Sequence, residues 1–331
     1  MTGLVNLAAH AEGHEKMKKI QELGKSGLNI GPLAFGGNVF GWTADEATSF
    51  RLLDSCLDAG INFIDTADVY TIWIPGHKGG ESETVIGSWL KKSGKREKVI
   101  IASKVGMDMQ AGGKGLSRSH IRKSIEGSLK RLQTDYIDLY QSHEDDKSVP
   151  LQETLSTYAE LIKEGKIRAI GASNYSAERL AHALTVAKRE NLPRYESLQP
   201  LYNLYDRSFE KDLEALCLSE KIGVIPYFPL ASGFLTGKYR SEADLGKSPR
   251  GFIMKDWLNP RGHRILDALD EVAKAKKTSS ACVALAWLMA RPSISAPIVS
   301  TSNLDQFKDT MAALTLDLDQ AAIQRLDEAS A

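Results

Sequence analysis

The sequence lacks the features that mark several classes of protein. There are three cysteines in 331 residues, Cys56, Cys217 and Cys282. They are far apart, odd in number and set in apolar helical patterns, so neither a disulfide framework nor a zinc cage is expected and the thiols should be reduced and buried. Neither sign of charge is in excess, with 42 basic and 42 acidic residues. Nothing then concentrates nucleic acid or an anionic membrane on the chain, and neither is expected as a partner. No apolar run approaches the roughly 20 residues that span a bilayer. The first residues lack a basic segment followed by a long apolar one, and a cytoplasmic location is the expectation. His77, His120 and His263 lack metal-ligand spacing; no metal is expected, and all three read as solvent-facing.

What is present is a chain with 42% hydrophobic and 25% charged residues, enough for a large core. Residues 1–16 show no place in the later pattern and read as an extension; 17–331 reads as one domain. Lys18 to Leu28 predicts a hairpin of short strands around Gly24-Lys25-Ser26-Gly27, which has neither the spacing nor the preceding strand of a phosphate loop. Eight short apolar runs follow: Ile30 to Phe35, Ile61 to Ile64, Val99 to Ala102, Tyr136 to Tyr140, Ile167 to Gly171, Ser197 to Leu201, Gly223 to Phe228 and Ala296 to Val299. Helical patterns separate them at Asp45–Ala59, Ser82–Lys91, Arg118–Leu132, Leu151–Lys163, Ala177–Arg189, Phe209–Glu220 and Ser279–Ala290, and Leu304–Ala313 follows the last run. Asp45, Ser82, Ser119 and Ser176 read as helix initiators. Arg261 to Lys276 and Asp319 to Glu328 add helices beyond the repeat.

Eight strand-then-helix units without a Pro-, Gly- or Ser-rich linker predict an α/β fold, a single (β/α)8 TIM barrel with an N-terminal β-hairpin. A doubly wound sheet is the alternative, but Gly36-Gly37-Asn38-Val39-Phe40-Gly41 does not fit the GxGxxG turn it would want. Long connections follow strands at Ala67–Glu81, Lys104–Ser117 and Leu230 to about Arg261. In a barrel such loops lie on the face where chemistry is done.

Consecutive strand ends then present Asp65 with Tyr70, Lys104, and His143 at one mouth. A lysine buried there needs a carboxylate partner, and a phenol beside an ammonium ionises more readily than its usual value of about 10. Such a phenol is a usable general acid, and a nearby histidine can hold a carbonyl oxygen by hydrogen bond.

The chain resembles the aldo-keto reductase superfamily through Ile64-Asp65-Thr66-Ala67-Asp68-Val69-Tyr70, Gly80-Glu81-Ser82-Glu83, Ser103-Lys104, Gly115-Leu116-Ser117, Ser128 to Leu132, Asp135 to Tyr140, Lys163 to Arg168, Gly171-Ala172-Ser173-Asn174-Tyr175 and Leu230 to Tyr239. The resemblance runs from about Met17 to the end. It implies an NAD(P)H-dependent reductase of small-molecule carbonyl compounds, able to run in reverse and oxidise the corresponding alcohols or sugars by hydride transfer. In it Tyr70 donates the proton, Lys104 and Asp65 tune it, and His143 orients the carbonyl. It further implies Ser173, Asn174 and Gln199 on the carboxamide and Tyr227 stacked on the nicotinamide. Leu230, Ser232, Gly233, Leu235, Gly237 and Lys238 would lie along the pyrophosphate, and Ser300, Ser302, Gln306 and Asp309 at the adenosine end. Trp73 and Trp257 fall in long loops as candidates for the substrate pocket. The segment Ser300 to Gln306 has no basic residue for a 2′-phosphate before Lys308, which leaves NADP(H) and NAD(H) both open.

Potassium-channel β subunits are also similar, around Gly115 to Arg118 and Ser232 to Tyr239. They make a cofactor-binding regulatory subunit the alternative function. His143 argues against it, since those subunits typically replace this histidine. A homo-oligomer is compatible with either function and required by neither.

Overall fold

The structure, a computed structural model, describes residues 20–248 and 251–331. The extension 1–16 and the first residues of the expected hairpin lie outside the described residues. The hairpin that is seen pairs β1 (Gln21–Glu22) with β2 (Asn29–Ile30), a little later than the sequence pattern placed it. Its turn is Gly24 to Gly27 as expected, closed by the Leu23 N–H donating to the Leu28 carbonyl at 2.9 Å. Gly24 has φ +61 and lies so close to the Glu196 carbonyl that a Cβ would collide with it.

The chain then alternates: β3 (Ala34–Gly36), α1 (Glu46–Asp58), β4 (Phe63–Asp65), α2 (Glu81–Ser93), β5 (Ile100–Val105), α3 (Arg118–Leu132), β6 (Ile137–Ser142), α4 (Leu151–Lys163), β7 (Ile167–Ser173), α5 (Ala177–Glu190), β8 (Ser197–Gln199), α6 (Leu213–Glu220) and β9 (Gly223–Val224). The extra α7 (Pro260–Lys276) and α8 (Ser280–Met289) precede β10 (Ile298–Val299), and α9 (Leu304–Met311) and α10 (Gln320–Ser330) follow it. Strands β3 to β9 pair in parallel in chain order, and β10 pairs β3. The Ile298 N–H donating to the Pro226 carbonyl at 2.9 Å joins the two ends of the sheet. This is the (β/α)8 barrel the repeat predicted. The first apolar run straddled two elements: Ile30 belongs to the hairpin, and the barrel strand starts at Ala34.

Side chains alternate across a strand, so each barrel strand faces inward at every second residue. At the N-terminal end the inward set is Ala34, Phe63, Ala102, Leu139 and Ala169, and Leu23, Leu28 and Ile30 of the hairpin pack with them as a plug. The other parity faces the helices and joins the larger core, which includes nearly all of α8. Asp45 and Ser176 cap α1 and α5, each accepting from the backbone N–H three residues on. Two other expected initiators act differently. Ser117, not Ser119, caps α3. Helix α2 starts at Glu81 behind Gly80, whose φ of 88 suits only glycine. Ser82 is buried instead, donating to the Gly37 carbonyl at 2.7 Å and accepting from Thr66 at 2.8 Å.

All three cysteines are buried and free. His77, His120 and His263 are half-buried rather than solvent-facing, and His77 Nδ1 lies 2.7 Å from the Thr71 hydroxyl. No helix among the described residues is long and apolar enough to cross a membrane.

Candidate active site

Two residues further along the inward parity, the apolar floor gives way to polar side chains: Asp65 after Phe63, Lys104 after Ala102, Gln141 after Leu139. Lys104 is fully buried. Its ammonium donates to Asp65 Oδ2 at 2.6 Å, to the Thr66 carbonyl at 2.9 Å and to the Tyr70 hydroxyl at 3.1 Å. All three of its protons are therefore placed. The other oxygen of Asp65 accepts from Gln199 Nε2 at 2.9 Å and from Gln141 Nε2 at 3.2 Å. Burial pushes the Lys104 ammonium toward deprotonation, but the Asp65 carboxylate and then Tyr70 more than offset it, and its pKa stands above the usual lysine value. Lys104 is therefore charged at neutral pH, and removing its carboxylate partner would strand that buried charge.

Tyr70 is half-buried at the turn that leaves β4, its ring 5.9 Å from that of His143 and at 71° to it. His143 follows directly on β6, and its main chain is held by Asn174 Nδ2 donating to its carbonyl at 2.9 Å. Burial, reinforced by the Lys104 charge, holds the imidazole well below its ordinary pKa, so it is neutral at neutral pH. Its Nδ1 is buried and finds no hydrogen-bond partner among the described residues. The geometry thus brings an acid-capable phenol, a fixed ammonium and a neutral imidazole together at one mouth.

Asn174, Ser173, Gln199 and Tyr227 cluster beside this group. Ser173 Oγ donates to the Gln199 carbonyl at 2.9 Å, and the Tyr227 hydroxyl donates to Asn174 Oδ1 at 2.9 Å. A cavity of roughly 680 Å³ runs past Phe228 and Leu230 and is lined by Ser232, Gly233, Lys238, Ser300, Ser302, Gln306 and Asp309 among others. The donors suit a dinucleotide. Ala231, Ser232 and Gly233 carry φ of 46, 53 and 100 in succession, and the Ala231 and Gly233 amides donate to the Phe228 and Leu230 carbonyls at 2.8 and 2.9 Å, which fixes this tight loop on the cavity wall. Thr301, on the same wall, has a buried hydroxyl with no partner among the described residues. Of the other expected cofactor residues, Leu235 is buried in the core and Gly237 closes the loop at φ 78; neither is among the lining residues.

Trp73 is 44% exposed and packs edge-on against Tyr70 at 5.6 Å and Trp42 at 6.0 Å. Trp257 is elsewhere, stacked on Tyr205 at 5.3 Å and set against Phe234.

Sequence reasoning missed four contributors. Gln141 shares the inward parity of Lys104 and His143, so its place was readable. Trp42 and Asn38 lie in the Gly-rich loop after β3 and line the cavity; a loop after a barrel strand was the available signal. Lys247 also lines it, its ammonium 2.8 Å from the Lys238 carbonyl. Nothing local marks that lysine, because its position depends on how the loop between β9 and α7 folds back.

Comparison with known proteins places the chain in a family. The model of the Aldo/keto reductase family matches residues 32–331. The chain is 35% identical over 315 residues to the uncharacterized oxidoreductase YrpG of Bacillus subtilis, covering 92% of this chain and 94% of that one. It is 37% identical to the aldo-keto reductase YhdN of the same organism over 81% of this chain and 78% of that one. It is 33% identical to a probable voltage-gated potassium channel subunit beta of Oryza sativa subsp. japonica, over 89% and 90%. Barrel, mouth and family match together establish that this chain belongs to the aldo/keto reductase family.

Proposed function

We propose that the chain acts, as a single domain over 17–331, as an NAD(P)H-dependent reductase of aldehydes or ketones, able to run in reverse on alcohols or sugars. The observation that carries the reading is the Lys104 ammonium held between Asp65 and Tyr70 with a neutral His143 across the mouth. The nicotinamide nucleotide supplies the hydride when bound. The Tyr70 hydroxyl gives its proton to the carbonyl oxygen, and the Lys104 ammonium, 3.1 Å away, stabilises the phenolate left behind. His143 can donate to the same oxygen without titrating near neutral pH. Asp65 keeps the ammonium in place, and Gln141 and Gln199 occupy its remaining oxygen.

Ser173, Asn174, Gln199 and Tyr227 would hold the nicotinamide end, the Leu230 to Lys238 loop the pyrophosphate, and Ser300 to Asp309 the adenosine end. Lys238 and Lys247 line the cavity that Ser300 to Gln306 leaves without a basic group, Lys247 already paired with Asp244 at 2.7 Å; Lys238 as a partner for a 2′-phosphate is what favours NADPH. Trp73, beside Tyr70, is the better of the two tryptophan candidates for a substrate contact.

Similarity to the rice channel subunit motivates a second reading, a cofactor-binding regulatory subunit. The complete set of Asp65, Tyr70, Lys104 and His143 supports the enzyme. A panel of aldehydes, ketones and sugars assayed with NADPH and NADH decides between them. Multiple turnovers with at least one carbonyl compound are expected, with the lower KM for NADPH; nucleotide binding without turnover on any of them would favour the subunit.

A further inference from the structure

Behind the mouth, on the other side of the strands, lies a second buried polar cluster that the proposed chemistry does not use. Ser103 and Tyr140 each precede a residue of the mouth on its strand, and alternation turns them outward, away from it. Ser103 precedes Lys104, Tyr140 precedes Gln141, and Asp68 lies two residues before Tyr70. Glu83 of α2, fully buried, accepts from Ser103 Oγ at 2.5 Å and from Arg131 Nε of α3 at 2.7 Å. Its charge is matched. Asp68 is 2% exposed, makes no ion pair among the described residues, and its Oδ1 is buried without a hydrogen-bond partner. The hydroxyl of Tyr140 is likewise buried and unpartnered.

The groups that act electrostatically on Asp68 come from every packed element: Glu83 from α2, Arg131 from α3 and Lys104 from β5. Tyr140 of β6 and Tyr158 of α4 also feel its charge. Arg131 is committed to Glu83, and Lys104 to Asp65, Thr66 and Tyr70. An ionised Asp68 would thus be a buried carboxylate with no cation of its own. Beyond the Val69 N–H that donates to it, such a charge is stabilised by drawing a cation from another partner, and the two available cations hold the mouth and its back wall.

The backbone connects the two sides. The Thr66 N–H donates to the Ala102 carbonyl at 2.8 Å and the Asp68 N–H to the Lys104 carbonyl at 3.3 Å, while the Lys104 ammonium returns to the Thr66 carbonyl. The segment carrying Asp68 is thus laced to β5 at three points, two of them on Lys104, and Tyr70 hangs from its far end.

We infer that Asp68 is a positioning residue that works as the uncharged acid: neutral, it leaves Lys104 to Asp65 and Tyr70; ionised, it draws that ammonium away and weakens proton delivery. Burial, and then the charge of Glu83, push its carboxyl up to about 8, in keeping with that role. The inference rests on the proposed reductase reading.

The test uses the full chain with NADPH, and benzaldehyde as the probe. Wild-type kcat for reduction should fall by up to about tenfold per pH unit above the pH where Asp68 ionises. Asp68→Asn, which is always uncharged, should keep kcat within about twofold of wild type at pH 7 and move that alkaline limb upward. Glu83→Gln, which removes the anionic neighbour, should move the limb downward. Identical limbs in wild type and Asp68→Asn overturn the inference, as does a tenfold loss of kcat in Asp68→Asn at pH 7. Infrared spectra of the protein labelled with ¹³C-carboxyl aspartate need no turnover: a protonated-carboxyl band is expected at pH 7 and should be missing in Asp68→Asn. If wild type lacks the band, Asp68 is not neutral and the inference fails at its root. If the band is present but no carbonyl compound is reduced, the reductase reading is what fails, and the positioning role falls with it.

Discussion

The floor and the mouth of this barrel come from the same strands at the same inward parity, one step of the pleat apart. On the floor Phe63, Ala102 and Leu139 pack against the hairpin plug. At the mouth Asp65, Lys104 and Gln141 replace them and form a closed set of hydrogen bonds around one ammonium. Both layers are buried, but they are held by different physics. The floor is held by apolar area and close packing, which have no direction; the mouth is held by charge and directed bonds that fix a phenol at one place. A strand thus buys rigidity at one end and spends it on precise placement at the other.

Exchanging parts between the layers tests this difference. Lys104→Met, which puts a floor-like side chain into the mouth, should have the largest effect. It leaves Asp65 buried without its cation, at a cost of about 3–5 kcal/mol, and kcat for carbonyl reduction should fall at least 100-fold by the range typical of general acid catalysis, roughly 10²–10⁴. Urea unfolding and steady-state kinetics on one preparation read both. Phe63→Ala should cost a similar roughly 3–5 kcal/mol in unfolding, yet leave kcat per folded molecule within about threefold. A large kcat loss in Phe63→Ala would erase the distinction between the layers.

A smaller effect concerns pH. The carboxyl of Asp68 is raised from its ordinary 3.8 to about 8. The unfolded chain releases this proton first, so the stability linked to Asp68 is full below about 3.8 and is lost as pH rises through about 8. Wild type should therefore lose stability relative to Asp68→Asn between those limits, and the gap should stay constant at higher pH. Unfolding curves at pH 5, 7 and 9 compare the two proteins; parallel pH dependence would mean that the carboxyl is not buried as described.

Most of the barrel was legible because period-2 and period-3.6 patterns alternate cleanly: Arg118 to Leu132 and Leu151 to Lys163 match the observed α3 and α4 residue for residue. The misreadings lie where one residue type has two uses. Ile30 is as apolar as a barrel residue yet sits in the hairpin, and Ser82 resembles a helix cap yet is buried against Gly37 and Thr66. The mouth was legible because its ionisable groups stand at consecutive strand ends. The cluster of Asp68, Glu83, Ser103 and Tyr140 was not, since a polar residue on a strand, helix or turn reads the same whether another element covers it or water does. Lys247 was hidden for another reason, as long-loop geometry decides its place and no local pattern encodes it.

The most direct measurement compares Tyr70→Phe with wild type for both NADPH binding, by quenching of tryptophan fluorescence, and kcat for carbonyl reduction. If Tyr70 delivers the proton, the variant should bind NADPH with a Kd within about threefold of wild type while kcat falls by roughly 10²–10⁴. Retained turnover in that variant, with the same Kd, would contradict a mouth built to place this phenol.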